Sequence, residues 1–278
     1  MRPAKRWGQH FLVSARALDT IMRAAELTPH DTVLEIGAGL GTLTEALAAQ
    51  AGEVVALEVD RRLVQVLAER LGARPNLRIV EGDALHADLA GLMRNAGRAE
   101  GAPRAGAVRK AVANLPYNIA APLLLRLLDP ALAIGRLVVT VQREVAERVV
   151  ARPGTPAYGR LTLAVQYRAA ARIVSRLPPG AFLPAPDVES AVLALVPHAH
   201  PPVRLDDEAA LFRVVAAGFG HRRKTLANAL AQRLDLAPSA VEAACRRAGV
   251  DPRARAETLD LAAFAALTRA LYGAQHDG

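Results

Sequence analysis

The chain has 278 residues, a net charge of +8, 52% hydrophobic residues and only 4% aromatics. That length supports one large domain, or one large domain plus a small one, and the composition excludes a disordered chain. The lone Cys245 excludes an internal disulfide or a cysteine-based metal cluster, and no apolar run approaches the roughly 18 residues of a membrane span, so a metal-free, cytoplasmic protein is expected.

Met1–Leu12 is basic and is not followed by the apolar core of a signal peptide. Thr32–Ile36 reads as a short buried strand running into Gly37-Ala38-Gly39-Leu40-Gly41, and a helical pattern follows through Leu43, Ala46, Leu47 and Ala51. Glu53–Val59 is a second strand, Arg61–Leu71 a helix, and Leu77–Val80 a third strand that ends at Glu81-Gly82-Asp83. The rhythm breaks between Asp88 and Lys110, where Arg94–Ala107 reads as a surface insertion. It resumes with a strand at Ala111–Ala113, the turn Asn114-Leu115-Pro116-Tyr117, a helix at Pro122–Leu128, a strand at Leu137–Gln142 and a helix at Arg143–Val150. Arg172–Leu177 and Ser190–Val196 form a closing antiparallel pair around a Pro-rich turn at Phe182. The expected fold is α/β: a doubly wound, mostly parallel sheet with one antiparallel strand.

His198-Ala199-His200-Pro201-Pro202 reads as a linker. Beyond it Asp206–Gly218, Lys224–Arg233, Ser239–Ala248 and Leu261–Leu271 are all helical in pattern. Two domains are expected, residues 1–199 and a smaller all-helical one over 200–278.

The positive charge favours a polyanionic partner, since Arg and Lys release counterions from phosphates on binding. Arg136–Arg176 carries eight Arg against two Glu. Only Lys5, Lys110 and Lys224 are lysines, so a general preference for Arg contributes as well.

Three strand ends converge on a cofactor site. The glycines of Glu35–Gly41 let the backbone turn tightly and approach a ligand. Glu58 ends the next strand, where a carboxylate accepts hydrogen bonds from both hydroxyls of a ribose, and Asp83 ends the third, within reach of an adenine amino group. NAD fits these features as well as S-adenosylmethionine does, and the fourth strand separates the two. An exocyclic adenine amine is a poor nucleophile because its lone pair is delocalised into the ring. The Asn114 side-chain oxygen and a backbone carbonyl can each accept one of its N–H bonds and aim the lone pair at a sulfonium methyl. Pro116 stiffens the turn and donates no N–H, and Tyr117 offers a flat face for a base. Catalysis is then mostly alignment.

With these motifs in order, the chain closely resembles the ribosomal RNA adenine N6-dimethyltransferase family over essentially its whole length. The resemblance rests on Lys5-Arg6-Trp7-Gly8-Gln9-His10-Phe11-Leu12, Glu35–Gly41, Glu58, Asp83, Asn114–Tyr117, Tyr158-Gly159-Arg160, Phe182-Leu183-Pro184-Ala185-Pro186-Asp187-Val188-Glu189-Ser190-Ala191-Val192, Arg222-Arg223-Lys224-Thr225 and Arg255-Ala256-Glu257. It implies a Rossmann-like methyltransferase sheet, S-adenosyl-L-methionine as cofactor, and dimethylation of two adjacent adenines in a hairpin loop near the 3′ end of small-subunit rRNA. It also implies a cytoplasmic monomer acting on a pre-30S particle in ribosome biogenesis. The cofactor contacts it implies are His10, Leu12, Gly37, Ala38, Gly39, Glu58, Val59, Asp83, Ala84 and Asn114. Asn114 and the Leu115 carbonyl would hold the target amine, in a pocket completed by Pro116, with Tyr117 and Phe182 sandwiching the base. Lys5, Arg6, Arg148, Arg222, Arg223 and Lys224 would meet RNA. Many members carry Asn where this chain has His10. Competing readings are a large-subunit rRNA dimethyltransferase of the antibiotic-resistance branch and a non-catalytic ribosome-assembly or transcription factor.

Overall fold

A computed structural model describes residues 9–96, 108–221 and 224–273. Its elements, in chain order, are β1 Phe11–Leu12, α1 Ala15–Ala25, β2 Thr32–Ile36, α2 Thr42–Gln50, β3 Glu53–Glu58, α3 Arg61–Leu71, β4 Leu77–Glu81, α4 Leu89–Asn95, β5 Arg109–Asn114, α5 Ala120–Leu127 and β6 Ile134–Gln142. There follow α6 Arg143–Val149, α7 Arg160–Gln166, β7 Ala169–Leu177, β8 Phe182–Leu183, β9 Ser190–Pro197, α8 Glu208–Gly218, α9 Leu226–Leu234, α10 Pro238–Arg247 and α11 Leu261–Tyr272.

Seven strands form one sheet in the order β4-β3-β2-β5-β6-β9-β7. All pairs are parallel except those of β9, which runs antiparallel to both β6 and β7. The chain leaves β2 toward β3 and β4 on one side and returns to β5 on the other. The order therefore reverses between β2 and β5, and the carboxyl ends of these two strands open a crevice. Both strands are apolar because helices cover both faces: Val33, Leu34, Ala111 and Val112 are at most 1% exposed.

Helix α1 was not foreseen from the sequence. Ser14 caps it, its hydroxyl accepting from the Ala17 amide at 3.3 Å, and Ile21, Met22, Ala24 and Ala25 bury one face. Its helical period is strong, with Ala17, Ile21, Met22, Ala24 and Ala25 on one buried face, so the signal is present in the sequence. Helix α4 occupies the first part of the stretch read as irregular, with Asp88 capping through the Gly91 amide at 2.8 Å. Arg94 and Asn95 of the expected insertion thus end a helix, while residues 97–107 lie outside the described residues.

By internal contacts the chain forms two compact units, one running to Ala146 and resuming over Ala169–Pro197, the other made of Glu147–Arg168 and the chain from His198 onward. The sequence pattern places residues 147–168 in the first domain. Instead Tyr158, Leu163 and Tyr167 share a core with Leu211, Leu226, Leu230 and Phe264 of the helical unit, and the Tyr158 hydroxyl donates to the Leu259 carbonyl at 2.8 Å. An apolar run such as Leu161–Val165 announces burial but not the core it joins. No helix among the described residues is long and apolar enough to cross a membrane.

Candidate active site

The loop after β2 turns through three glycines with positive φ, Gly37 (74°), Gly39 (59°) and Gly41 (86°). The positive φ values favour glycine, and a Cβ would in addition crowd the Phe11 ring at 3.1 Å from Gly39 and the Leu67 side chain at 2.8 Å from Gly41. The loop is tied to β3 by the Gly37 amide, which donates to the Leu57 carbonyl at 2.8 Å. Glu58, 4% exposed, organises the other side of the turn. Its Oε2 accepts from the Gly39 amide, and its Oε1 from the amides of Val59 and Asp60, each at 2.9 Å. Burial raises its pKa, and the three amides pull it back toward the charged form.

Asp83 follows β4. Its Oδ1 accepts from the Leu85 amide at 2.8 Å, and its Oδ2 meets His86 Nδ1 at 2.9 Å. The Leu85 hydrogen bond, then His86, holds its pKa below the usual carboxylate value. Arg126 of α5 anchors the next turn by donating to the Ala84 carbonyl at 2.6 Å and to the Ala87 carbonyl.

The fourth element is the turn after β5. The Leu115 amide donates to the Thr140 carbonyl of β6 at 3.1 Å, and the Pro116 carbonyl accepts from the Ile119 amide at 3.1 Å. Asn114 Nδ2 donates to the His10 carbonyl at 2.8 Å, which fixes the side-chain amide and leaves Asn114 Oδ1 buried with no protein donor. The Tyr117 hydroxyl pairs with Ser190 Oγ at 2.5 Å, and burial raises its pKa. The His10 ring stacks on Tyr117 with centroids 5.2 Å apart and planes 22° apart.

One cleft gathers His10, Gly37, Gly39, Glu58, Val59, Asp83, Ala84 and the whole turn Asn114–Tyr117. Three expected residues do not line it. Leu12 and Phe182 are cross-strand partners in the two-stranded sheet β1–β8, 5% and 2% exposed, in the core beneath α1. Because side chains alternate along a strand, Phe11 faces the cleft in place of Leu12, and Leu183 is left 63% exposed. Phe182 therefore offers no face to a base in this arrangement. Ala38, 5% exposed, packs with Ala56, Leu67 and Leu71. Lys5, Arg6, Arg222 and Arg223 lie outside the described residues. Arg148 is exposed at the end of α6, and Lys224 is exposed before α9, donating to Gln232 at 2.5 Å.

Gln9, Phe11, Ile36, Leu57, Leu85, Asn118 and Ile119 also line the cleft and were not singled out from the sequence. Ile36 and Leu57 sit at strand ends beside residues that were, so the strand-end rule already contained the signal. Glu35 was read only as part of the glycine motif. It is 1% exposed with no well-formed hydrogen bond to either oxygen, and the nearby Thr44 hydroxyl only partly offsets the effect of burial on it. Burial pushes its carboxyl up to about 8, and the nearby Glu58 charge adds to the shift.

The family model described as ribosomal RNA adenine dimethylase matches residues 2–271. A ribosomal RNA small subunit methyltransferase A from Moorella thermoacetica is 46% identical over 273 residues, covering 97% of this chain and 92% of the relative. A dimethyladenosine transferase from Plasmodium falciparum superposes with a TM-score of 0.75 at 24% identity, covering 93% of this chain and 96% of that one. The 23S rRNA methyltransferase ErmE superposes with a TM-score of 0.66 at 28% identity, covering 94% of this chain and 99% of its own.

Proposed function

Because the chain belongs to the ribosomal RNA adenine dimethylase family, we propose that its cleft binds S-adenosylmethionine and dimethylates the N6 amines of two adjacent adenines in a hairpin loop near the 3′ end of small-subunit rRNA. The observation that carries this reading is Asn114 Oδ1. A buried acceptor without a donor is costly unless a ligand satisfies it, and here its orientation is locked by the bond from Nδ2 to His10.

The donor set fits the cofactor. A glycine loop with no Cβ in the way accommodates close approach. An ionised carboxylate has about four acceptor positions; Glu58 spends three on backbone amides and keeps one for a ribose hydroxyl. Asp83 and the Ala84 amide would read an adenine edge, and Val59 would pack on its face. When bound, S-adenosylmethionine supplies a methyl group on a positively charged sulfur.

The residues of the turn do the rest. Asn114 Oδ1 accepts one N–H of the target amine and the Leu115 carbonyl the other, so the nitrogen lone pair points along the transfer line. Pro116 has no N–H to compete. Tyr117, its hydroxyl held by Ser190, presents a flat surface. The proton on the alkylated nitrogen is acidic and leaves to water, so no strong base is required. A base inside a duplex cannot reach this turn, so the adenine is unpaired or flipped out. Arg148, Lys224 and the residues Lys5, Arg6, Arg222 and Arg223 would supply phosphate contacts, and a monomer in the cytoplasm acting on a pre-30S particle completes the reading.

The identity of 46% to a small-subunit enzyme against 28% to ErmE favours the small subunit. Labelled methyl transfer to purified small and large subunits tests this. Dimethyladenine at two adjacent positions of small-subunit rRNA is expected, and label confined to the large subunit would overturn the reading.

A further inference from the structure

His10 and Tyr117 both line the cleft, and one face of the Tyr117 ring, the flat surface proposed for the target base, is covered by another residue of the chain. The His10 imidazole lies on it, nearly parallel, with centroids 5.2 Å apart. Two stacked rings by themselves occupy centroid separations of about 4.5–7 Å, so no third ring fits between them. A base can use this face only after His10 leaves it.

The attachment of His10 suits a part that moves. Its backbone carbonyl is held by Asn114 Nδ2 at 2.8 Å, which pins the main chain beside the reacting turn. Its ring is held by two other ties, both independent of Asn114. One is the stack on Tyr117. The other is an exposed hydrogen bond from Nδ1 to the Pro184 carbonyl at 2.8 Å, in the segment just after β8. Rotation about the side-chain bonds alone would clear the Tyr117 face without disturbing the Asn114 contact. The imidazole is flat, small and polar at its edge, as a nucleobase is, so it covers an aromatic surface that would otherwise be bare.

We propose that His10 is a stand-in for the target adenine: its ring keeps the seat on Tyr117 closed while no base is present and yields it when the base arrives. This rests on the reading of Tyr117 as the base's stacking surface. The consequence is a tax on base entry. Aromatic pairs contribute about 0.5–1.5 kcal/mol, so displacing the ring weakens base seating roughly 2- to 12-fold relative to an open seat.

The test uses the full chain with S-adenosylhomocysteine and a short RNA hairpin carrying 2-aminopurine in place of the target adenine, whose fluorescence falls when the base stacks. His10→Ala should lower the RNA concentration at half-quenching by roughly 2- to 12-fold. His10→Asn, which can still hydrogen-bond to Pro184 but has no ring, should shift it in the same direction. His10→Phe, which keeps a ring on Tyr117 and loses only the bond, should lower it less than His10→Ala does. A purely structural hydrogen-bonding role would show the reverse pattern, with Asn rescuing and Phe failing. Tyr117→Ala should abolish quenching with or without His10. If Tyr117→Ala removes quenching while His10→Ala leaves the midpoint unchanged or raises it, the stand-in role is overturned and the base seat survives. If Tyr117→Ala quenches normally, the base seat itself is wrong.

Discussion

Strands β2 and β5 lie side by side, and their two ends treat buried polar groups in opposite ways. At the amino end, Lys110 and Asp31 form an ion pair of 2.9 Å between side chains 8% and 2% exposed. Asp31 also accepts from the amides of Thr28 at 2.7 Å and Val108 at 3.3 Å, and Lys110 donates to the Glu26 carbonyl. Each charge there has several partners. At the carboxyl end of the same strands, both oxygens of Glu35 and Oδ1 of Asn114 have none, and the hydroxyls of Thr44 and Thr140 beside them are also unpartnered. All buried unsatisfied side-chain atoms among the described residues gather at this end. Such a deficit is tolerated where a ligand or reaction uses it, and of these residues Asn114 lines the cleft, so the contrast sets an end whose charges are all paired against an end that leaves an acceptor open to a ligand.

If that division is correct, damage at the two ends should have different signatures. Lys110→Met should be the most costly change to stability, about 3–5 kcal/mol, because it leaves the Asp31 charge buried alone. Urea denaturation measures it, and the methyl-transfer rate per folded molecule should hardly change. Burial raises the Asp31 pKa, but the bonds from Lys110 and Thr28 outweigh it and the net shift is downward. The stability it contributes is therefore present above the unfolded value near 3.8 and lost as pH falls through the folded one. The gap between variant and unaltered chain should accordingly close below about pH 4.

Asn114→Ala should reverse the pattern. Stability should fall only by about 0.5–1.5 kcal/mol, since the oxygen it deletes has no protein partner and one bond, from Nδ2 to the His10 carbonyl, is lost, while the single-turnover transfer rate at saturating RNA falls on the order of a hundredfold. A near-normal rate would remove the turn from the chemistry. Glu58→Ala comes next, and is expected to weaken S-adenosylmethionine binding by about 1–3 kcal/mol in calorimetry, because the proposed ribose contact would go and the amides of Gly39, Val59 and Asp60 lose their acceptor.

Glu35→Gln should have the smallest effect, and it should depend on pH. The folded carboxyl holds its proton up to about 8 because it is buried, whereas the unfolded one ionises near 4.5. Between those values the folded state binds more protons, so this group makes stability fall as pH rises. Gln has no such cost. The melting temperature of the variant relative to the unaltered chain should rise between pH 5 and pH 9, by roughly 2–4 °C for each kcal/mol relieved. A difference independent of pH would show that Glu35 is ionised throughout.

The parallel sheet, its one antiparallel strand and the strand-end residues Glu58, Asp83 and Asn114 were legible in the order of the residues. Short apolar runs alternating with helical periods leave few topologies, and ligands sit at the carboxyl ends of parallel strands. The helical pattern after residue 200 was legible for the same reason. Whatever depended on pairing between distant segments was not. Phe11 rather than Leu12 enters the cleft, and Phe182 leaves it, because a two-residue strand at the start of the chain pairs with one about 170 residues later, and register decides the face. Residues 147–168 join the helical unit because Tyr158 packs against Phe219 and Tyr167 against Phe212, a match no local pattern records. The charge state of Glu35 and the ring covering Tyr117 belong to the same class. Periodicity and motif are properties of neighbours along the chain. Burial, register and stacking are properties of neighbours in space, and only the folded chain creates them.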